Sequence, residues 1–290
     1  MVSVLQNEHL TVKISHIGAE ILSVIADGFE FMHTPTENWG ATAPLLFPIC
    51  GRLLNSEYSL GGKKFNMNIH GFISKEVFRV VSSSDTELTL VATESPATLA
   101  AYPFAFMITV KYTLDGAALS AEYTVTNRSG NIMPFMFGLH PGFMLPMEEG
   151  ASFDDYRLDL GVSEALHYPL VNSAFVSKSP LRRTLVGGEL RISEEEICRE
   201  ETLVLGGIGQ RARLYREGGR RAISISFSDG FKYLCLWKHP CPDERYLCIE
   251  PWSGVPSDGN FDECFDTREN MLRIEPGDSA RFFSDFCFEF

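Results

Sequence analysis

The sequence predicts an all-β protein: a single large antiparallel β-sandwich, with residues 1–290 forming one domain. Three observations carry this expectation. Apolar residues recur every second position rather than every 3.6; Asp-Gly and Gly-Gly pairs separate the alternating runs; and helical periodicity is scarce. Many short strands without long helices between them pack as an antiparallel sandwich or barrel. A chain of 290 residues can bury a large core without dividing, and no low-complexity linker or internal repeat marks a boundary.

In chain order, strands are expected at 10–15 and 19–25. A hairpin follows at 58–65 around Gly61-Gly62, then strands at 76–82 and 86–93. Residues 95–101 have room for one or two helical turns before Pro103. The clearest hairpin comes next. Phe104, Phe106, Ile108, Val110, Tyr112 and Leu114 alternate up to Asp115-Gly116, and Leu119, Ala121, Tyr123 and Val125 resume beyond it. Asp and Gly tolerate the positive φ of a type I′ turn. A strand at 132–139 precedes a second short helix, which Ser193-Glu194-Glu195-Glu196 opens with capping-box spacing. Alternation at 223–228 turns at Asp229-Gly230 into 233–237, and strands at 246–250, 271–274 and 280–289 complete the set.

Composition limits the function. Lys and Arg number 25 against 38 Asp and Glu, a formal charge of −13. Nucleic acid demands a basic face, and an anionic membrane surface is disfavoured for the same reason; a neutral small molecule suits this balance. The first residues lack a basic stretch followed by an apolar one, and no apolar run approaches the ~20 residues that span a bilayer. Seven cysteines without a CxxC pair read as reduced thiols of a cytoplasmic protein. Cys235, Cys248 and Cys287 lie in apolar runs and are expected to be buried. The Gly206-Gly207-Ile208-Gly209 stretch opens no helix, so it is no dinucleotide fingerprint, and neither GxSxG nor HExxH occurs. No spacing supports a metal site built on His70, His140 and His239.

Four segments set polar groups among apolar neighbours: 47–52 with Arg52, 68–72 with His70, 137–142 with His140, and 248–252 with Glu250. His140 stands at a strand end before Pro141-Gly142. Taken singly, it and His70 read as rings bonded to backbone. Glu250, flanked by Ile249 and Pro251-Trp252, needs a partner to be tolerated there. The partner is either a structural arginine, or the carboxylate is a base held for chemistry. Arg52 reads as a loop arginine or as a guanidinium fork for substrate oxygens. Trp237 and Trp252 suit either the core or the apolar face of a sugar.

Together these segments resemble the aldose 1-epimerase (galactose mutarotase-like) family, in particular its short bacterial branch associated with lactose operons. The motifs are Phe47-Pro-x-x-Gly-Arg52, His70-Gly71-Phe72, His140-Pro141-Gly142 and Ile249-Glu250-Pro251-Trp252. The likeness runs from Gly18-Ala19-Glu20-Ile21 to the 272–278 segment. It implies a mutarotase-like supersandwich with the site on a concave sheet face. It implies catalytic roles for Glu250, as base toward the anomeric hydroxyl, and His140, as acid toward the ring oxygen. Arg52, His70, Trp237 and Trp252 would bind the substrate, a small-molecule sugar. No cofactor is implied, and the chain would act as a monomer or homodimer. In the reactive free enzyme Glu250 is expected ionised and His140 protonated. The sequence departs from the family where an aspartate often contacts sugar hydroxyls, since 206–210 carries no acid. A non-catalytic sugar-binding protein and a hexose-6-phosphate 1-epimerase are the alternatives. The latter would need the arginines at 182–183 and 211–221 near the pocket.

Overall fold

In the computed structural model, which describes residues 1–171, 175–256 and 263–290, two large sheets dominate. A nine-stranded sheet runs in the order Glu189–Arg191, Tyr156–Asp159, Arg211–Arg216, Ala222–Phe227, Ser279–Glu289, Ala118–Asn127, Phe106–Asp115, Glu87–Thr93 and Arg79–Ser83. The second sheet runs Leu181–Thr184, Glu164–Tyr168, Leu203–Gly206, Tyr233–Trp237, Tyr246–Trp252, Gly138–Leu139 and Leu45–Leu46, with Gly142–Met144 also paired to Tyr246–Trp252. The pairings within both sheets are antiparallel. A four-stranded sheet at Val2–Glu30 flanks them.

The inner faces of the two large sheets meet through aromatic rings, as period-two alternation requires. Phe143 and Phe286 pack across the layer with centroids 6.1 Å apart. Phe106, Ile108, Val110 and Tyr112 are buried while Met107, Thr109 and Lys111 are half-exposed. The expected hairpin forms in register, Asp115 opposite Ala118 and Phe106 opposite Asn127. Both short helices form: Pro96–Ala101 under a Ser95–Thr98 capping box, and Glu194–Glu200 with Ser193 Oγ accepting from the Glu196 N–H. None of the described helices is long and apolar enough to cross a membrane.

Three expectations need correction. Asp229-Gly230 does not close a hairpin. Ala222–Phe227 belongs to the nine-stranded sheet and Tyr233–Trp237 to the other, and the fully buried Phe231 carries the chain between them, against Phe282. A turn signal reads the same for a hairpin and for a crossover. The 132–139 strand is two pieces, Met133–Phe135 on Leu272–Ile274 and Gly138–Leu139 on the second large sheet. Cys287 is exposed rather than buried, because Phe286 and Phe288 take the inward phase of its strand.

Candidate active site

The Tyr246–Trp252 strand is buried along its whole length, yet its two faces differ. Leu247 and Ile249 join the hydrophobic core, with Trp252 at its border, and alternation turns Tyr246, Cys248, Glu250 and Trp252 to the side opposite Leu247 and Ile249. On that side Glu250 and Trp252 line the floor of a cavity of about 380 Å³. His140 reaches the floor from the end of Gly138–Leu139. Its N–H donates to Pro44 O, and Pro141 O accepts from the Ile249 N–H, which ties the His140 turn to the Glu250 strand. His140 Nε2 stands 3.2 Å from Glu250 Oε2.

Both side chains are nearly dry, His140 7% and Glu250 1% exposed. Burial penalises a lone charge. It pulls the His140 imidazole down to about 4. It pushes the Glu250 carboxyl well above the carboxylate range. Burial therefore favours a carboxylic acid beside a neutral imidazole at rest, one proton shift away from the ion pair expected in the reactive enzyme. The two states contain the same single proton. Both Glu250 oxygens, His140 Nδ1 and Trp252 Nε1 are buried without a hydrogen-bonding partner among the described residues. Such orphaned polar atoms are rare unless a ligand completes them.

His70 sits above this pair at a strained backbone position, φ 62°. Its Nδ1 accepts the Gly51 N–H at 3.1 Å, so in the neutral ring the proton is on Nε2. Burial, aided by His140 and Arg52, holds the ring neutral by pulling it well below its ordinary value. Its ring is edge-on to His140 at 5.4 Å and to Trp252 at 5.7 Å. Gly71 allows this turn. Its φ is +75°, and a Cβ there would fall 2.1 Å from Phe47 O. Arg52 is exposed, borders the cavity and has no hydrogen-bond or ion-pair partner among the described residues.

Arg52, His70, His140, Trp237, Glu250 and Trp252 all line the one cavity. Sequence reasoning missed a seventh wall, Trp39. This ring is 5.2 Å from His140 and meets Trp237 edge-on at 5.4 Å. Its loop is held from below. Glu244, 4% exposed, accepts hydrogen bonds from Thr36 Oγ1 at 2.6 Å and Asn38 Nδ2 at 2.8 Å. His33 stacks on the indole at 4.8 Å. The available signal was a tryptophan isolated in a polar 34–40 loop. Glu201 and Thr202 also reach the cavity wall, and no motif announced them.

The arginine-rich runs lie elsewhere. Arg182 pairs with Glu164, Arg183 with Glu196, Arg211 with Asp159, Arg213 with Glu289 and Arg216 with Glu148, and none of them lines the cavity.

The family model described as aldose 1-epimerase matches residues 1–257. The chain belongs to the aldose 1-epimerase family. Protein LacX (chromosomal) of Lactococcus lactis subsp. lactis is 26% identical over 288 residues, covering 96% of each chain. The galactose mutarotase related enzyme from Lactobacillus acidophilus superposes with a TM-score of 0.93 at 27% identity, over 100% of this chain and 98% of the other. A galactose mutarotase-like protein from Lactobacillus casei ATCC 334 gives 0.90 at 26% identity, with both chains fully covered. The family's fold is thus the fold of this chain, and the cavity described above lies on a strand of its second large sheet.

Proposed function

We propose that this member of the family is an aldose 1-epimerase that interconverts the α and β anomers of a free aldose. The observation that carries the reading is the buried Glu250–His140 pair, 3.2 Å apart, on the cavity floor. Opening a hemiacetal ring takes one proton from the anomeric hydroxyl and gives one to the ring oxygen. The Glu250 carboxylate accepts the first while the His140 imidazolium donates the second, and the C1–ring oxygen bond breaks. The open aldehyde turns about its C1–C2 bond. Reclosure on the other face reverses both transfers, so the enzyme ends with the proton count it began with. No electron or group moves, so this chemistry asks for no cofactor. The resting acid–imidazole pair reaches the reactive ion pair by shifting its one proton across the 3.2 Å contact.

The other walls fit a sugar. His70 Nε2–H and the unpaired Arg52 supply donors for the ring oxygen and anomeric hydroxyl. Trp39, Trp237 and Trp252 offer flat faces for C–H groups, and Glu201 and Thr202 offer polar groups for hydroxyls at the rim. A free sugar is favoured over a sugar phosphate because the clustered arginines are already paired on the protein surface, leaving Arg52 as the one cation on the cavity wall among the described residues.

Polarimetry of freshly dissolved α-glucose, α-galactose and a hexose 6-phosphate tests the reading. The expected result is a rate above spontaneous mutarotation for a free sugar. Faster turnover of the phosphate than of its parent would favour the phosphate-specific alternative. Sugar binding without any rate enhancement would leave a binding protein.

A further inference from the structure

One buried group beside the Glu250–His140 pair has no part in the epimerase chemistry. Cys248 precedes Glu250 by one strand repeat, so its side chain leaves the strand on the same side. One ligand atom from each of His140, Cys248 and Glu250 lies within 4.8 Å of the others. All three side chains are buried. Three points no farther apart than this share a centre within about 2.8 Å of each. Zinc–ligand bonds run about 2.0–2.3 Å, so side-chain shifts of under ~1 Å would close the set. Two of the three also carry polar atoms without partners, Glu250 Oε1 and Oε2 and His140 Nδ1. His140 and Glu250 face the cavity, which leaves a fourth position open to solvent or sugar.

We propose that His140, Cys248 and Glu250 form a binding site for a borderline-soft divalent cation, of which Zn²⁺ is the type, and that occupancy switches the enzyme off. Nitrogen, sulfur and oxygen donors suit Zn²⁺ or Co²⁺, while a thiolate turns away Mg²⁺ and Ca²⁺, which prefer all-oxygen shells. On binding, the Cys248 thiol and the Glu250 carboxyl each release a proton to solvent. The metal takes up lone pairs of the His140 imidazole and the Glu250 carboxylate, the two groups that exchange protons with the sugar. The cation is an inhibitor in this account, not a cofactor. Its binding stands on the geometry alone; the loss of activity rests on the epimerase reading.

Co²⁺ reads binding without turnover. Protein freed of metal by a chelator and titrated with Co²⁺ should gain a thiolate-to-cobalt charge-transfer band in the near ultraviolet. Cys248→Ser should lose that band, and Cys287→Ser, which removes an exposed thiol, should keep it. In polarimetry Zn²⁺ should inhibit the wild type, and a chelator should restore it. Cys248→Ser should keep basal activity and need at least about tenfold more Zn²⁺ for half-inhibition, since losing even an outer-shell partner weakens a metal site that much. A charge-transfer band that survives Cys248→Ser, or equal Zn²⁺ sensitivity in both proteins, overturns the proposal. A wild type that shows the band but no mutarotation leaves the metal site standing and removes the epimerase reading.

Discussion

His140 Nε2 lies 3.2 Å from Glu250 Oε2 in a pocket that opposes the charged form of each. The pair works with one proton between them, so activity should fall when it gains a second or loses the first. Gaining the second charges His140 beside a protonated Glu250, and burial holds that step down, to about 4 for His140. Losing the only proton leaves a bare buried carboxylate, and burial delays that step well above the ordinary carboxylate range. A plot of kcat/KM against pH should therefore be a broad bell. Its acid limb should lie below the ordinary histidine value and its alkaline limb above the ordinary glutamate value, both belonging to the pair as a unit. A single acid limb at about 6.5, the value of an ordinary histidine, with no alkaline fall would show that His140 titrates independently.

Arg52 and His70 touch substrate oxygens in this account without exchanging protons with them. Arg52→Ala and His70→Ala should each raise KM by roughly tenfold, since a hydrogen bond to or from a charged group is worth about 1.5–3 kcal/mol and a neutral one somewhat less. Steady-state polarimetry separates KM from kcat. An unchanged KM in both variants would place the sugar elsewhere in the cavity.

Trp39 and Glu244 should behave as one device. Trp39→Ala removes a stacking face worth about 0.5–1.5 kcal/mol beyond its area, so KM should rise roughly two- to tenfold. Glu244→Ala frees the loop that Thr36 and Asn38 anchor and should raise KM in the same direction with kcat nearly kept. The double variant should be no worse than Trp39→Ala, because the two effects share one element. Additive losses would mean that Glu244 acts by another route.

Gly71→Ala tests the turn that presents His70. The residue would have to hold φ +75° with its Cβ 2.1 Å from the Phe47 carbonyl oxygen. A left-handed backbone alone costs about 1–3 kcal/mol and the clash adds to it, so urea denaturation should show a loss of ~3 kcal/mol or more. A loss under ~1 kcal/mol would mean that the 68–72 turn rearranges freely.

Much of this was legible in the sequence where one face of a strand is buried and the other wet. The 104–125 hairpin shows clean alternation because Lys111 and Glu122 mark the outer face, and the pattern alone places Tyr112 and Tyr123 inside. The Tyr246–Trp252 strand is buried on both faces, so periodicity could not show which residues face the cavity; Glu250 stood out only as a carboxylate without a visible partner. Between residues 142 and 216 the described strands are short, and some carry arginines on their outer face. Arg211 and Arg213 alternate with the buried Ala212 and Leu214, and their guanidinium groups masked a two-residue rhythm. Trp39 offered only its isolation in a polar loop, because that loop is anchored by Glu244, which follows Asn38 by 206 residues. The depth of burial that sets the resting charge of the Glu250–His140 pair is encoded in no local pattern.

The most direct test of the central claim is Glu250→Gln, followed by polarimetry with the spontaneous rate subtracted and circular dichroism to confirm the fold. The amide keeps the size of the carboxyl but cannot accept the anomeric proton. Positioned acid–base groups contribute about 10²–10⁴-fold, so kcat should fall by that much while KM stays within a few-fold. His140→Asn should match it, and the double variant should be little worse than either. A folded Glu250→Gln protein with near wild-type turnover would contradict the account and place the proton transfer at another residue.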